Sequence, residues 1–155
     1  MKVINSFRGN YDFLSNFFVG ASFFDFDGNK WKTSEHFYQS KKTTIYDEKC
    51  RIKYSETAGD SKRLGNMATL RNNWSDIKVD VMIDALRMKF DQNEKYKEYL
   101  VQTDGYELVE GNWWHDNFWG NCYCDKCESI KGTNMLGRCL MNLRDRYIQK
   151  EMGNA

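Results

Sequence analysis

The sequence predicts a mainly α (α+β) fold: a multi-helical single domain over residues 1–155 with a small N-terminal β-sheet or hairpin. Two long stretches, SDIKVDVMIDALRMKFD and TNMLGRCLMNLRDRYIQ, repeat apolar residues at helical spacing. Aromatic-rich runs flank Asp27-Gly28, the turn chemistry of a hairpin. At 155 residues the chain is long enough to build one core without staples.

Taken in order, residues 1–30 read as short extended segments, with the hairpin inside FFVGASFFDFDGNKW. Thr33 or Ser34 can cap a helix running from about Ser34 to Lys42. A loop at TTIYD separates it from a second helix near Asp47 to Tyr54. A third follows near Ser55 to Leu64 and stops at Gly65. Ser75 or its neighbour caps the longest helix, which runs to Asp91. NEKYKEYLVQT is a shorter amphipathic helix, and YELVEGNWW a strand leading into irregular chain. In the last helix Leu136, Leu140, Leu143 and Tyr147 form one stripe. No repeat, low-complexity tract or linker divides the chain.

Composition narrows the function. The chain is 41% hydrophobic and 29% charged, which suits a folded soluble domain rather than a disordered one. A net charge of +1 supplies no broad footprint for gripping a nucleic-acid backbone, though a local basic patch is compatible with it. No apolar run of the roughly 18 residues needed for a membrane helix is present. The N-terminal MKVINSFRGNYDF lacks a signal-peptide core. With an odd cysteine count of 5, this points to reduced thiols and a cytoplasmic setting. The rings are abundant: 5 Trp, 9 Tyr and 10 Phe. In NWWHDNFWG they alternate with polar groups, as walls for stacking a heterocyclic base do.

WKTSEHFYQSKK places Glu35 and His36 in the first turn of their helix. A first-turn carboxylate complements the helix dipole, so Glu35 has both a structural and a chemical reading. In the long helix Asp80, Asp84, Arg87 and Asp91 share one side, while Lys78 and Lys89 fall within the apolar arc. Lys89, near the C-terminal end, can snorkel to water. Lys78 faces inward in the first turn, against the dipole, and so calls for a carboxylate or an anionic ligand. Desolvated, it would have a lowered pKa and could act as a nucleophile through a Schiff base. Asp116 is either a turn-making loop residue or the second carboxylate of a glycosidic site, with Glu35 as the first. Cys122, Cys124 and Cys127, with His115 as a fourth group, offer zinc-type ligands at a non-standard spacing. Reduced thiols packing a loop are the expectation there, with no metal in the site.

Several of these pieces together resemble the NADAR (YbiA-like) family: LSNF, WKTSEHFYQSKK, LRNNWSDIKVDVMIDALRMKF, LVE, DNFWG and GTNMLGRCLMNLR occur in the family's order over nearly the whole chain. The resemblance implies a mainly helical fold with a small sheet and an N-glycosidase that cleaves ribosyl–nitrogen bonds without metal or organic cofactor. It implies a catalytic set of Glu35, Lys78 and Asp116. Asn16, His36, Trp74, Lys89, Trp119 and Asn134 are then the substrate contacts, Asn16 and Asn134 reaching ribose or phosphate. The expected substrate is an ADP-ribosylated guanine base or nucleoside, in DNA or RNA; a phosphorylated ribosylaminopyrimidine intermediate of riboflavin synthesis is the alternative. A non-catalytic ADP-ribose-binding module and a zinc-stabilised interaction domain are the non-enzymatic readings. No membrane and no obligate protein partner are implied. Lys32 and Thr69 stand where many members have proline, and the cysteine-bearing loop from Asn121 to Gly132 is longer than in the shorter bacterial relatives. Such a loop bears on which substrate enters rather than on the reaction.

Overall fold

The computed structural model describes residues 2–153, in which helices dominate and the strands are short. Asn16–Glu94 form one compact unit, and the residues up to Ser15 together with those from Lys95 form another.

The 16–94 unit begins with the predicted hairpin. Strands β2 (Phe23–Phe24) and β3 (Lys30–Trp31) pair antiparallel, with Phe23 opposite Trp31. Asp25 organises the turn: its Oδ1 accepts the Asp27 and Asn29 N–H groups at 3.0 and 2.9 Å, and its Oδ2 accepts Trp31 Nε1 at 3.0 Å. Gly28 takes φ 84°, which a side chain would resist. Helices α1 (Ser34–Ser40), α2 (Tyr46–Lys53), α3 (Ala58–Met67) and α4 (Trp74–Asp91) follow.

Helix α1 ends at Ser40, short of the predicted Lys42, and the boundaries of α3 and α4 also differ from those predicted. Helix α3 starts after Thr57, whose hydroxyl accepts the Asp60 N–H at 3.0 Å, and it continues through Gly65 to Met67. Helix α4 has Asn73 at its N-cap, without a side-chain capping bond. Its exposed side carries Asp80, Asp84, Arg87 and Asp91, as the periodicity predicts, while Met82, Ala85, Leu86, Met88 and Phe90 are buried. Ala85 and Met88 join Phe23, Trp31 and Phe37 in one core cluster. Lys89 does not snorkel: it is 1% exposed, with its ammonium over the rings of Phe90 and Phe18 at 5.1 and 5.7 Å. Those ring faces offer a buried cation an attractive surface.

In the other unit, β1 (Lys2–Ile4) pairs in parallel with β4 (Tyr106–Leu108), placing Ile4 beside Leu108. Residues Gly9–Leu14, predicted as extended, instead form a 3-10 turn that buries Phe13 and Leu14. Helix α5 (Glu94–Gln102) precedes β4, and β5 (Gly111–Asn112) pairs in parallel with β6 (Asn121–Cys122). The closing helix α6 (Met135–Gly153) buries the predicted stripe of Leu136, Leu140, Leu143 and Tyr147. Arg144 is buried with them and donates Nη1 to the carbonyls of Thr103 and Tyr106 at 2.9 and 2.8 Å, fixing the turn into β4. No helix among the described residues is long and apolar enough to cross a membrane.

Candidate active site

The start of α1 separates the two readings of Glu35. Thr33 is extended (φ −144°, ψ 161°) and its Oγ1 accepts the His36 N–H at 3.1 Å, so the helix is capped by Thr33. The Glu35 side chain is directed elsewhere and is only 6% exposed. Its backbone N–H donates to the Asn16 carbonyl at 3.1 Å, and Ser34 Oγ donates to Asn16 Oδ1 at 2.8 Å. Asn16 Nδ2 approaches Met82 Sδ at 3.4 Å, so this asparagine ties α1 to α4. One turn along α1, Gln39 Nε2 donates to Glu35 Oε1 at 2.6 Å. A carboxylate this buried is costly unless charge and hydrogen bonds meet it.

Lys42 supplies charge. Burial pushes its ammonium pKa down, the charge of Glu35 opposes that, and Lys62 adds to the depression. Its Nζ lies 3.4 Å from Asn66 Oδ1 and 5.8 Å from the centre of the Tyr38 ring, which in turn lies 5.1 Å from the Trp74 ring. Glu35, Gln39, Lys42, Tyr38 and Trp74 thus make one local constellation. Sequence reasoning missed Gln39 and Lys42. The signal for Gln39 was its i+4 spacing from Glu35 on one helix face, whereas Lys42 lies beyond the end of α1.

The remaining predicted residues of this unit separate. His36 is 1% exposed, and its Nε2 lies 3.1 Å from the Ser55 carbonyl while its Nδ1 lies 2.7 Å from Thr33 Oγ1. A carbonyl only accepts, so Nε2 carries the proton and Nδ1 receives the threonine hydroxyl. Burial lowers the His36 pKa, with the Ser55 carbonyl opposing. This is a neutral histidine joining α1 to the loop after α2. Lys78 sits half-buried on α4, one turn beyond the buried Trp74, and so is less enclosed than the helical arc predicts. Lys89 is held in the core described above.

In the other unit, Asp116 Oδ1 accepts the backbone N–H groups of Phe118 and Trp119 at 3.1 and 2.9 Å. Its own backbone exchanges two hydrogen bonds with the Asn112 side chain, at 3.1 and 2.8 Å. The turn-making reading of Asp116 therefore describes its geometry. Trp119 is half-buried and packs edge-on against Phe118 at 4.9 Å. Asn134 bridges two backbone groups, accepting the Glu110 N–H at 3.0 Å and donating to the Leu108 carbonyl at 2.8 Å. Its amide is thus engaged with protein at both ends. Trp113 and Trp114 are 61% and 51% exposed, so these rings are not core. Beside them, His115 Nδ1 and the sulfurs of Cys122, Cys124 and Cys127 all lie within 4.8 Å of one another, the set that can hold a metal.

The comparisons define the class. The family model of the NADAR domain matches residues 5–147. The chain is 35% identical over 150 residues to N-glycosidase YbiA of Shigella flexneri serotype 5b, covering 93% of this chain and 88% of that protein. It is 34% identical over 138 residues to a riboflavin biosynthesis protein of Vibrio vulnificus, covering 88% of this chain but 35% of the larger protein. The NMR structure of E. coli YbiA superposes with a TM-score of 0.80 at 32% identity, over 98% of this chain and 89% of that one. The fold is that of an α+β N-glycosidase. The chain belongs to the NADAR family, and with it to the glycosidases that hydrolyse N-glycosyl compounds.

Proposed function

We propose that this chain hydrolyses the ribosyl–nitrogen bond of ADP-ribosylated guanine, as a base or nucleoside or at an end or unpaired position of DNA or RNA, in the cytoplasm. The observation that carries the reading is the buried Glu35 carboxylate, relieved of capping by Thr33 and oriented by Gln39. A net charge of +1 favours an unpaired base over a long duplex.

In the proposed reaction the C1′–N bond breaks and its electron pair leaves with the base nitrogen, which Glu35 protonates. The nitrogen of Lys78 gives up a proton to solvent and its electron pair bonds to C1′, giving a lysine–sugar adduct. Water then releases the sugar, and Glu35 takes the water's proton. Burial lowers the Lys42 pKa and the charge of Glu35 opposes that, so the two groups act on each other. Asn16 and Gln39 position the carboxylate, while Trp74 and Tyr38 supply ring surface.

A second reading rests on the Vibrio relative, whose name assigns it to riboflavin biosynthesis. The substrate there would be a phosphorylated ribosylaminopyrimidine. Both compounds given side by side to the purified protein decide between them, with released base quantified. Faster turnover of the pyrimidine would reverse the choice. Binding of ADP-ribose with release from neither substrate would make the chain a binding module. Borohydride added during turnover should trap sugar on the wild-type protein and not on Lys78→Ala. No adduct, with Lys78→Ala active, would leave carboxylates and an attacking water as the mechanism.

A further inference from the structure

We propose that His115, Cys122, Cys124 and Cys127 form a closed structural zinc site that fixes the DNFWG segment. A tetrahedral zinc with usual bond lengths, about 2.3 Å to sulfur and about 2.0–2.1 Å to nitrogen, sets each N···S edge at about 3.6 Å. His115 Nδ1 stands 3.3, 3.9 and 3.3 Å from the sulfurs of Cys127, Cys122 and Cys124. One imidazole nitrogen nearly equidistant from three thiols is the vertex arrangement of a Cys₃His tetrahedron. A disulfide would draw two sulfurs together and leave the third thiol and the imidazole without a role. All five cysteines are free thiols.

The surroundings fit a metal loop. Cys124 and Cys127 bracket a tight 3-10 turn, with the Cys127 N–H donating to the Cys124 carbonyl at 3.1 Å. Cys122 ends β6, and its N–H is held by Asn117 Oδ1 at 2.9 Å. His115 adopts φ 70°, a conformation unfavourable for a histidine unless something holds it. Four protein ligands leave no open position for water, so the metal would be structural rather than catalytic. On binding, the three thiols release their protons to solvent and the imidazole stays neutral.

The site would also act on the neighbouring turn. His115 lies immediately before Asp116, and Cys122 lies three residues after Trp119. Zinc would therefore clamp both ends of the segment that Asp116 nucleates. This inference stands independently of the substrate proposed above.

Protein purified from zinc-supplemented medium under reductant should contain one zinc per chain by elemental analysis. The double variant Cys124→Ser/Cys127→Ser should contain none, whereas Cys50→Ser, outside the cluster, should keep it. Cobalt substituted into the wild-type chain should give intense tetrahedral absorption with thiolate charge transfer, which needs no variant to fold. Withdrawing the metal with a strong chelator should lower the melting temperature on the order of 10 °C and expose the three thiols to a thiol reagent. Absence of zinc and of the cobalt spectrum in the wild type would overturn the proposal. So would equal metal in the cluster variant and in Cys50→Ser, or a mass 2 Da low from a disulfide.

Discussion

Gly65→Ala tests the packing that holds Glu35 in place. Alanine in a helix is normally better than glycine by about 1 kcal/mol. Here the added Cβ would run into the Gln39 carboxamide, with Cδ at 2.8 Å, Cβ at 3.0 Å and Oε1 closer still. Gln39 is 3% exposed, so its side chain has no solvent to swing into. Overpacking of this kind costs about 1–3 kcal/mol. The expected net effect is a loss of about 0–2 kcal/mol, or up to roughly 8 °C in melting temperature at 2–4 °C per kcal/mol. Displacing Gln39 also pulls its Nε2 from Glu35, so turnover should fall as well. In a Gln39→Ala background the carboxamide is gone and only the residue-39 Cβ remains, at 3.0 Å, so Gly65→Ala should fall between neutral and about 1 kcal/mol stabilising. Denaturant melts of the four proteins give the coupling energy, expected at about 1–3 kcal/mol. If Gly65→Ala stabilises both backgrounds equally, the account of this contact is wrong.

Three further outcomes follow from particular contacts. His36 has a folded-state pKa below its usual 6.5. The unfolded chain therefore binds the proton more readily, and His36 favours the fold above pH 6.5 and ceases to as pH falls below it. Thermal melts between pH 8 and pH 5 should show this slope, and His36→Asn should flatten it. Asp116→Asn keeps an Oδ1 for the Phe118 and Trp119 N–H groups, so it should melt like wild type and retain most activity. Activity lost as deeply as in a Glu35 variant would instead make Asp116 a proton-transfer group. Arg144→Ala should destabilise by about 1–3 kcal/mol in urea melts, as leaving buried backbone acceptors unsatisfied does, and Arg144→Lys should recover part of it, because both carbonyls accept from the single nitrogen Nη1.

Long periodic patterns were the legible part of the chain. Helices α4 and α6 and the Asp27-Gly28 hairpin are local, and each follows from residues that neighbour one another in sequence. The β1–β4 pairing joins residues about a hundred positions apart, and no local signal specifies such a contact. The 3-10 turn at Gly9–Leu14 was missed because its aromatic residues also suit an extended segment. In the site, Glu35 was visible as a carboxylate among rings. Its supports were not, since Gln39 and Lys42 look like ordinary helix-surface residues until burial and Gly65 bring them in. Lysines on an apolar arc proved ambiguous: the same pattern holds a fully buried Lys89 and a half-buried Lys78. Asp116 and Asn134 show the reverse limit, because hydrogen bonds to backbone cannot be read from residue type.

The most direct measurement is turnover by Glu35→Gln. Glutamine preserves the side-chain volume and an acceptor for Gln39 Nε2, so the variant should fold with a near-wild-type melting temperature and circular dichroism. It cannot carry the proton. Release of guanine from the ADP-ribosylated base should then fall by roughly 10²–10⁴. Near-normal turnover in a folded Glu35→Gln protein would contradict the account, and Glu35 would be a structural residue of α1.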